Sequence, residues 1–195
     1  MARELVWTGF TTLDGRVDSP GGDVEGHPQG GWVFATEFLP EAFALKGEEL
    51  GETSALMFGK RSYDVFAPVW KDSPDHADYK ELPKYLVSTT ATEADVAEGW
   101  GETTILRSSE DVAALKADEG DGEGGAIFIH GSAELGRRLG AAGLIDRYIL
   151  LVFPWLLGSG KTVFPDDVAE RQALRLRSSE SYANGVVKVV YDVVH

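Results

Sequence analysis

The segment IFIHGSAELGRRLGAAGLIDRYILLVFPWLLGSGKTVFPD, Ile127 to Asp166, reads in one pass as strand, glycine turn, helix, strand and glycine loop. Ala126 to Ile129 is an uninterrupted apolar run, the pattern of a strand buried on both faces of a sheet. Gly131 lets the backbone turn sharply and approach a ligand closely. Ser132 is a good N-cap and Glu134 falls in the first turn. Leu135, Leu139 and Ala142 then keep helical spacing until Gly143 stops the helix. The unpaired N–H groups of such a helix start favour a phosphate or carboxylate. An ordinary strand-to-helix connection facing water carries the same pattern, so the segment needs a second signal.

That signal is Phe58-Gly59-Lys60-Arg61-Ser62-Tyr63, which repeats the construction: apolar strand, glycine, helix start, now with two cations. Two helix N-termini at the strand ends of one sheet suit the two ends of a pyrophosphate, and Lys60 or Arg61 suits one further phosphate. The competing reading makes Lys60 and Arg61 solvated surface charges. Gly158-Ser159-Gly160-Lys161-Thr162 looks like a phosphate loop but fails on spacing. Trp155 stands where its first glycine belongs, and Thr162-Val163-Phe164-Pro165 reads as extended rather than helical. The dinucleotide fingerprint fails as well, because Val163 occupies the place of its third glycine.

Elsewhere strands and helices alternate. Glu4 to Thr11 is a first strand, and a long loop follows through Asp14-Gly15 and Pro20-Gly21-Gly22 to about Gly31; loops of this length are commonly lids or disordered. Pro40 to Leu50 reads as a helix with Ala42, Leu45 and Glu49 at turn spacing. Ala55 to Phe58, Tyr85 to Ser88 and Thr104 to Leu106 are short strands, and Lys60 to Phe66 starts a helix. Ser108 and Asp111 form a capping box for a helix to Asp118. The acidic turn Asp118 to Gly125 fails as a calcium loop because Gly120 takes a ligand position, and no metal site is expected. Ala173 to Ser178 and Val186 to Val194 form a hairpin around Ala183-Asn184-Gly185. Together these elements predict a mainly parallel sheet with an antiparallel edge, with ligands at the carboxyl ends of its strands.

The chain has 195 residues, enough for one substantial core, so residues 1–195 are read as a single domain. It has no cysteine, which excludes disulfides, thiolate catalysis and cysteine-ligated zinc. The longest apolar run, Tyr148 to Leu157, is too short to span a bilayer, and no signal peptide opens the chain, so a cytoplasmic protein is expected. A formal charge of −14, from 32 acidic and 18 basic residues, repels nucleic acid and anionic membranes. A small-molecule partner is the remaining expectation.

Taken together, TTLDG at Thr11 to Gly15, GGW at Gly30 to Trp32, ALMFGKRSYDVF at Ala55 to Phe66, YLVSTT at Tyr85 to Thr90 and the segment from His130 to Asp166 resemble the dihydrofolate reductase superfamily. The resemblance is closer to its branch with the reductase domain of riboflavin biosynthesis, and it covers nearly the whole chain. Leu144-Ile145-Asp146 before a strand, Pro154 and the Gly158-Ser159-Gly160 loop mark the branch.

The resemblance implies an α/β, dihydrofolate reductase-like fold: a mainly parallel central sheet flanked by helices, with a C-terminal antiparallel hairpin. It implies NADPH across the strand ends, with Gly59, Lys60, Arg61 and Ser62 on phosphates and Lys60 or Arg61 near the 2′-phosphate. Ser88 and Thr89 would line the adenine-ribose side, and Gly131, Ser132, Ala133, Glu134 and Leu135 the pyrophosphate and adjoining ribose. The loop after the first strand would cover nicotinamide and substrate, with Gly158 to Lys161 packed near it.

Two departures stand out. His130 replaces a glycine that many relatives carry, and no acid matches the folate reductases' proton donor unambiguously. Glu37 and Glu41 lie in the right region, and Asp14 is the alternative. Trp32 and Phe34 are substrate-side candidates, whereas Trp7 reads as core. The expected activity is NADPH-dependent reduction of a flat heterocycle, dihydrofolate-like or aminopyrimidine-like as in 5-amino-6-(5-phosphoribosylamino)uracil reductases. The alternative is a non-catalytic or regulatory nucleotide-binding dimer that keeps the cleft. A homodimer is expected because Tyr148 to Leu157 and Val186 to Val194 carry more apolar surface than one strand face buries.

Overall fold

The computed structural model describes residues 3–22, 26–118, 125–164 and 171–195. Most of the acidic turn Asp118 to Gly125, and the Pro165-Asp166 end of the long segment, fall outside the described residues. Eight strands form one sheet: β1 (Leu5–Thr12), β2 (Thr53–Gly59), β3 (Lys84–Val87), β4 (Thr103–Leu106), β5 (Ala126–His130), β6 (Arg147–Phe153), β7 (Ala173–Ser181) and β8 (Val187–Val194). Their order is β4-β3-β2-β5-β1-β6-β8-β7. The first six in that order run parallel, and β8 pairs antiparallel with both β6 and β7. This is the expected sheet with its terminal hairpin.

Alternation along the strands divides the core into two layers. Val6, Phe58, Phe128, Ile149 and Leu151 face one side, and Leu5, Trp7, Met57, Ile129 and Leu150 face the other. The first layer is closed by α1 (Pro40–Phe43), α2 (Leu45–Glu52) and α3 (Lys60–Trp70), the second by α4 (Ser109–Ala117) and α5 (Ala133–Ala141). The capping box is present: Asp111 N–H reaches Ser108 Oγ at 3.2 Å, and Ser108 N–H returns to the Asp111 carboxylate. Gly143 ends α5 at φ 67°, where Leu144 N–H bonds Leu139 O and Gly143 N–H bonds Gly140 O, a Schellman closure.

Three expectations are corrected. The helix expected over Pro40 to Leu50 is two helices broken at Ala44. The break lets Phe43 stack on Phe38 at 5.1 Å while Leu45 and Glu49 turn onto the sheet. Ser132 occupies the N-cap position of α5 but in left-handed backbone, φ 52° and ψ 53°, and its side chain does not cap the helix. Strand β7 continues past Ser178 to Ser181. As an exposed edge strand it needs no apolar alternation, and a register shift between Leu176 and Ser178 bulges it at Arg177.

Candidate functional site

Strand β5 lies between β1 and β2, so the turns after β2 and β5 are neighbours at one end of the sheet. Gly59 and Gly131 open these turns. A side chain at Gly131 would have to hold φ 61°, which glycine does without strain. Neither α3 nor α5 has a side-chain cap, so their first-turn N–H groups remain available as anion donors. The turns are stapled together. Gly59 N–H donates to Ser132 Oγ at 3.0 Å, and Ser132 N–H donates to Ser62 Oγ at 3.1 Å. This bond, rather than a helix cap, is what the Ser132 hydroxyl does.

Beside this double turn, Lys60 Nζ touches both Asp64 oxygens at 2.7 Å and Asp95 at 3.2 Å. The Asp64 hydrogen bond, with help from Asp95, raises the Lys60 ammonium above its ordinary value. A phosphate there meets Lys60 together with two carboxylates; Arg61 is exposed at the next position. Ser88 turns its hydroxyl onto its own loop, accepting from Thr90 and Ala91 N–H, and Arg107 clamps that loop through the Ser88 and Ala91 carbonyls. Thr89 is exposed on its tip.

Strand β1 continues past its pairing with β5. Thr8 is the register partner of His130, and Gly9 to Thr12 pair only with β6. The other edge of β1 thus stands open among the described residues where β5 turns away. Above it, on the α2 side, lies a buried polar cluster. The Thr8 hydroxyl donates to the Glu49 carboxylate, and Lys46 Nζ bonds Glu49 at 2.8 Å and Thr8 Oγ1 at 3.1 Å. The Glu49 side chain is 1% exposed. Glu49 is a buried carboxylate that sequence reasoning did not place among the candidate site residues. Its signal was present, a carboxylate at turn spacing with Ala42 and Leu45 on the apolar face of the helix. His130 stands beside the cluster, flanked by Trp70, Tyr79 and Phe128.

The sequence-expected acids lie elsewhere. Glu37 and Glu41 are exposed, and the Glu37 carbonyl accepts from Asn184 Nδ2 at 2.8 Å, tying the loop to the hairpin turn. Asp14 accepts from Gly158 N–H at 2.7 Å, Leu157 N–H at 3.2 Å and Thr12 Oγ1 at 2.5 Å. Burial pushes its carboxyl up, but these hydrogen bonds outweigh it and leave it below the ordinary carboxylate value. Asp14 thereby anchors the Gly158 to Lys161 loop, which also holds Asp18 through Lys161 N–H at 2.5 Å and Val17 N–H through Lys161 O at 3.0 Å. That loop packs on the loop after β1, and no helix follows it among the described residues.

Trp32, expected at the substrate surface, is 3% exposed and gives its indole N–H to Asp18 O at 2.9 Å, so it pins the loop after β1 to the core. Phe34 is 79% exposed at the outer bend. Trp7 is core, with its indole N–H on Gly131 O at 2.7 Å.

Residues 3–188 match the family model described as the RibD C-terminal domain. The chain belongs to the RibD C-terminal domain family. Similar proteins align over 97% or more of its length. The uncharacterized protein YyaP of Bacillus subtilis is 27% identical over 97% of this chain and 94% of that protein. A putative riboflavin biosynthesis protein from Shewanella sp. PV-4 superposes over 100% of both chains with a TM-score of 0.74 at 18% identity. The Thermotoga maritima diaminohydroxyphosphoribosylaminopyrimidine deaminase/5-amino-6-(5-phosphoribosylamino)uracil reductase superposes on 98% of this chain and 57% of its own, with a TM-score of 0.65 at 12% identity. These likenesses establish the dihydrofolate reductase-like fold for this RibD-family chain. Among its described residues no helix is long and apolar enough to cross a membrane.

Proposed function

We propose that this RibD-family protein is an NADPH-dependent reductase of a small, flat heterocycle of the aminopyrimidine type. The observation that carries the reading is the stapled pair of uncapped helix starts at Gly59 and Ser132, which fits a diphosphate lying across both. When bound, NADPH supplies the hydride.

The chain supplies position and a proton. Gly59, Ser62, Gly131 and the first-turn N–H groups of Ala133, Glu134 and Leu135 hold the diphosphate. Lys60 and Arg61 serve the 2′-phosphate, and Ser88 and Thr89 the adenine side. Glu49 sits where a ring entering beside β1 would meet a carboxylate, oriented by Thr8 and Lys46. Asp14 is less suited to give up a proton, because its hydrogen bonds favour the ionised form. Glu37 and Phe34, exposed on the loop after β1, are the candidates for substrate contact from that loop. Two copies pair through the outer strands of the sheet.

The deciding experiment titrates the protein with NADPH and with NADH, then follows nicotinamide absorbance with dihydrofolate and a panel of aminopyrimidines. NADPH binding with turnover of one of them is expected. Absence of NADPH binding overturns the reading, and binding without turnover across the panel assigns a non-catalytic nucleotide-binding role.

A further inference from the structure

Four polar residues meet on the α2 side where β5 ends beside β1, and three of them, Thr8, Lys46 and Glu49, satisfy one another. The fourth does not join them. His130 is 5% exposed, its ring edge-on to Trp70 at 5.4 Å and to Tyr79 at 5.7 Å, and lying over Phe128 at 6.2 Å. Its Nε2 is fully buried and has no hydrogen-bond partner among the described residues. Burial, reinforced by the charges of Lys46 and His76, holds the ring well below the ordinary histidine value. It is therefore a neutral imidazole with one donor and one acceptor nitrogen. Leaving such a nitrogen unpaired in the interior costs about 1–3 kcal/mol.

The surroundings specify what would pair with it. Lys46 pairs with Glu49 at 2.8 Å and His130 is neutral, so these three residues together offer hydrogen bonds without net charge. An anionic group there would have to compete with Glu49 for Lys46. The walls are flat: His76 lies on Trp70 with ring centres 4.5 Å apart and planes 18° from parallel, and both residues are half-buried. The face of Trp70 thus accepts an aromatic plane, at present His76, whose Nδ1 also contacts Ser73 Oγ at 3.1 Å, so a ligand ring takes that place only by displacing His76.

We propose that His130 is a specificity-determining residue, its Nε2 hydrogen-bonding a ring N–H or carbonyl on the edge of a flat, uncharged heterocycle stacked on Trp70 in place of His76. This rests on the reductase reading of the same site and narrows it. The phosphate of a phosphoribosylated substrate, if present, has to lie outside this slot.

The test uses the full chain labelled with 15N-histidine, and long-range 1H–15N spectra of its imidazoles, titrated with 5,6-diaminouracil and with dihydrofolate, each with and without NADPH. The expected result is a shift of His130 Nε2, with His76 also moving as its ring is displaced, while His27 and His195 stay in place. If neither probe moves His130 Nε2, the inference is overturned. Failure of NADPH alone to bind refutes the reductase reading, and the His130 response is then still read from the titrations without it.

His130→Phe supplies a second readout. Removing an unpaired nitrogen should leave the melting temperature unchanged or raised, keep NADPH affinity within about twofold, and lower affinity for the responding probe at least tenfold. A large drop in melting temperature would mark a satisfied core histidine, and unchanged probe affinity would rule out recognition; either result overturns the inference.

Discussion

Ser132 reaches from the end of β5 to accept the Gly59 N–H at the end of β2, at 3.0 Å, and its own N–H returns to Ser62 Oγ at 3.1 Å. The two halves of the proposed diphosphate site therefore hold each other's geometry. Ser132→Ala should cost about 1 kcal/mol in urea unfolding, the net value of one such bond. Ser132→Gly loses the same bond but relieves the left-handed backbone at φ 52°, so its stability should stay near wild type. Both should weaken NADPH binding by a similar factor. If only the less stable variant loses affinity, the staple serves the fold and not the ligand.

Lys60 is shared between Asp64 and Asp95, and Asp95 is itself held below its ordinary value by the Thr92 N–H and by Lys60. Those two carboxylates compete with a 2′-phosphate for one ammonium. Asp95→Asn should raise NADPH affinity severalfold while changing NADH affinity little, because only NADPH carries the extra phosphate. Lys60→Ala together with Arg61→Ala should do the reverse. Titration of both nucleotides at low and high salt reads this directly, and equal changes for the two would remove Lys60 and Arg61 from the 2′-phosphate.

Glu49→Gln is nearly isosteric and can still accept the Thr8 hydroxyl, so the fold should survive with a modest loss from the widowed Lys46. If Glu49 handles the proton, turnover of the reducible substrate should fall by about 100-fold with NADPH affinity unchanged. Asp14→Asn should instead loosen the loop at Gly158 and change KM more than kcat. Steady-state kinetics on both variants separates the two acids.

The glycine turns were legible because glycine after an apolar run is a local signal, and the hairpin because Asn184-Gly185 just before the valine-rich Val186 to Val194 is another. Their meeting was not legible: that Ser132 would bond Gly59 depends on β5 inserting between β1 and β2, a long-range pairing. Glu49 shows the same limit. Its spacing with Leu45 placed it on the buried face, but a carboxylate there makes sense only once Thr8, from a strand far earlier in the chain, is seen opposite it. Trp32 misled in a different way, since flanking glycines suggest an open pocket, whereas its indole N–H found a carbonyl at Asp18 inside the lid.

Lys84 is fully buried, and its ammonium donates to the carbonyls of Tyr79, Lys80 and Leu82 at 2.5–2.8 Å, 4.9 Å above the Trp100 ring. It fastens the segment that carries His76 and Tyr79. Lys84→Met should cost about 2–4 kcal/mol in chemical denaturation, because three carbonyls lose their donor and the cation–π contact goes. Burial pushes Lys84 down to about 8, with Glu81 opposing. Between about pH 8 and its unfolded value near 10.5 the unfolded chain then holds more protons than the native one, so this group's contribution to stability rises with pH across that window. The rise should be present in wild type and absent in Lys84→Met; parallel profiles would mean Lys84 does not titrate there.

Strand β7 is exposed along its whole length at the sheet edge, with Leu174 41%, Leu176 52% and the neighbouring Val194 51% exposed. Leu174 and Leu176 stand opposite Val193 and Tyr191 of β8, so the apolar stripe continues across two strands. An edge of this kind invites pairing with another strand, and a second copy of the chain supplies one that closes on itself by two-fold symmetry. Sedimentation velocity should give a species of twice 21.1 kDa. Leu176→Arg should yield the 21.1 kDa monomer, with secondary structure retained because this side chain buries little within its own chain. A wild-type monomer at tens of micromolar, or a Leu176→Arg dimer, would place the contact on another face or remove it.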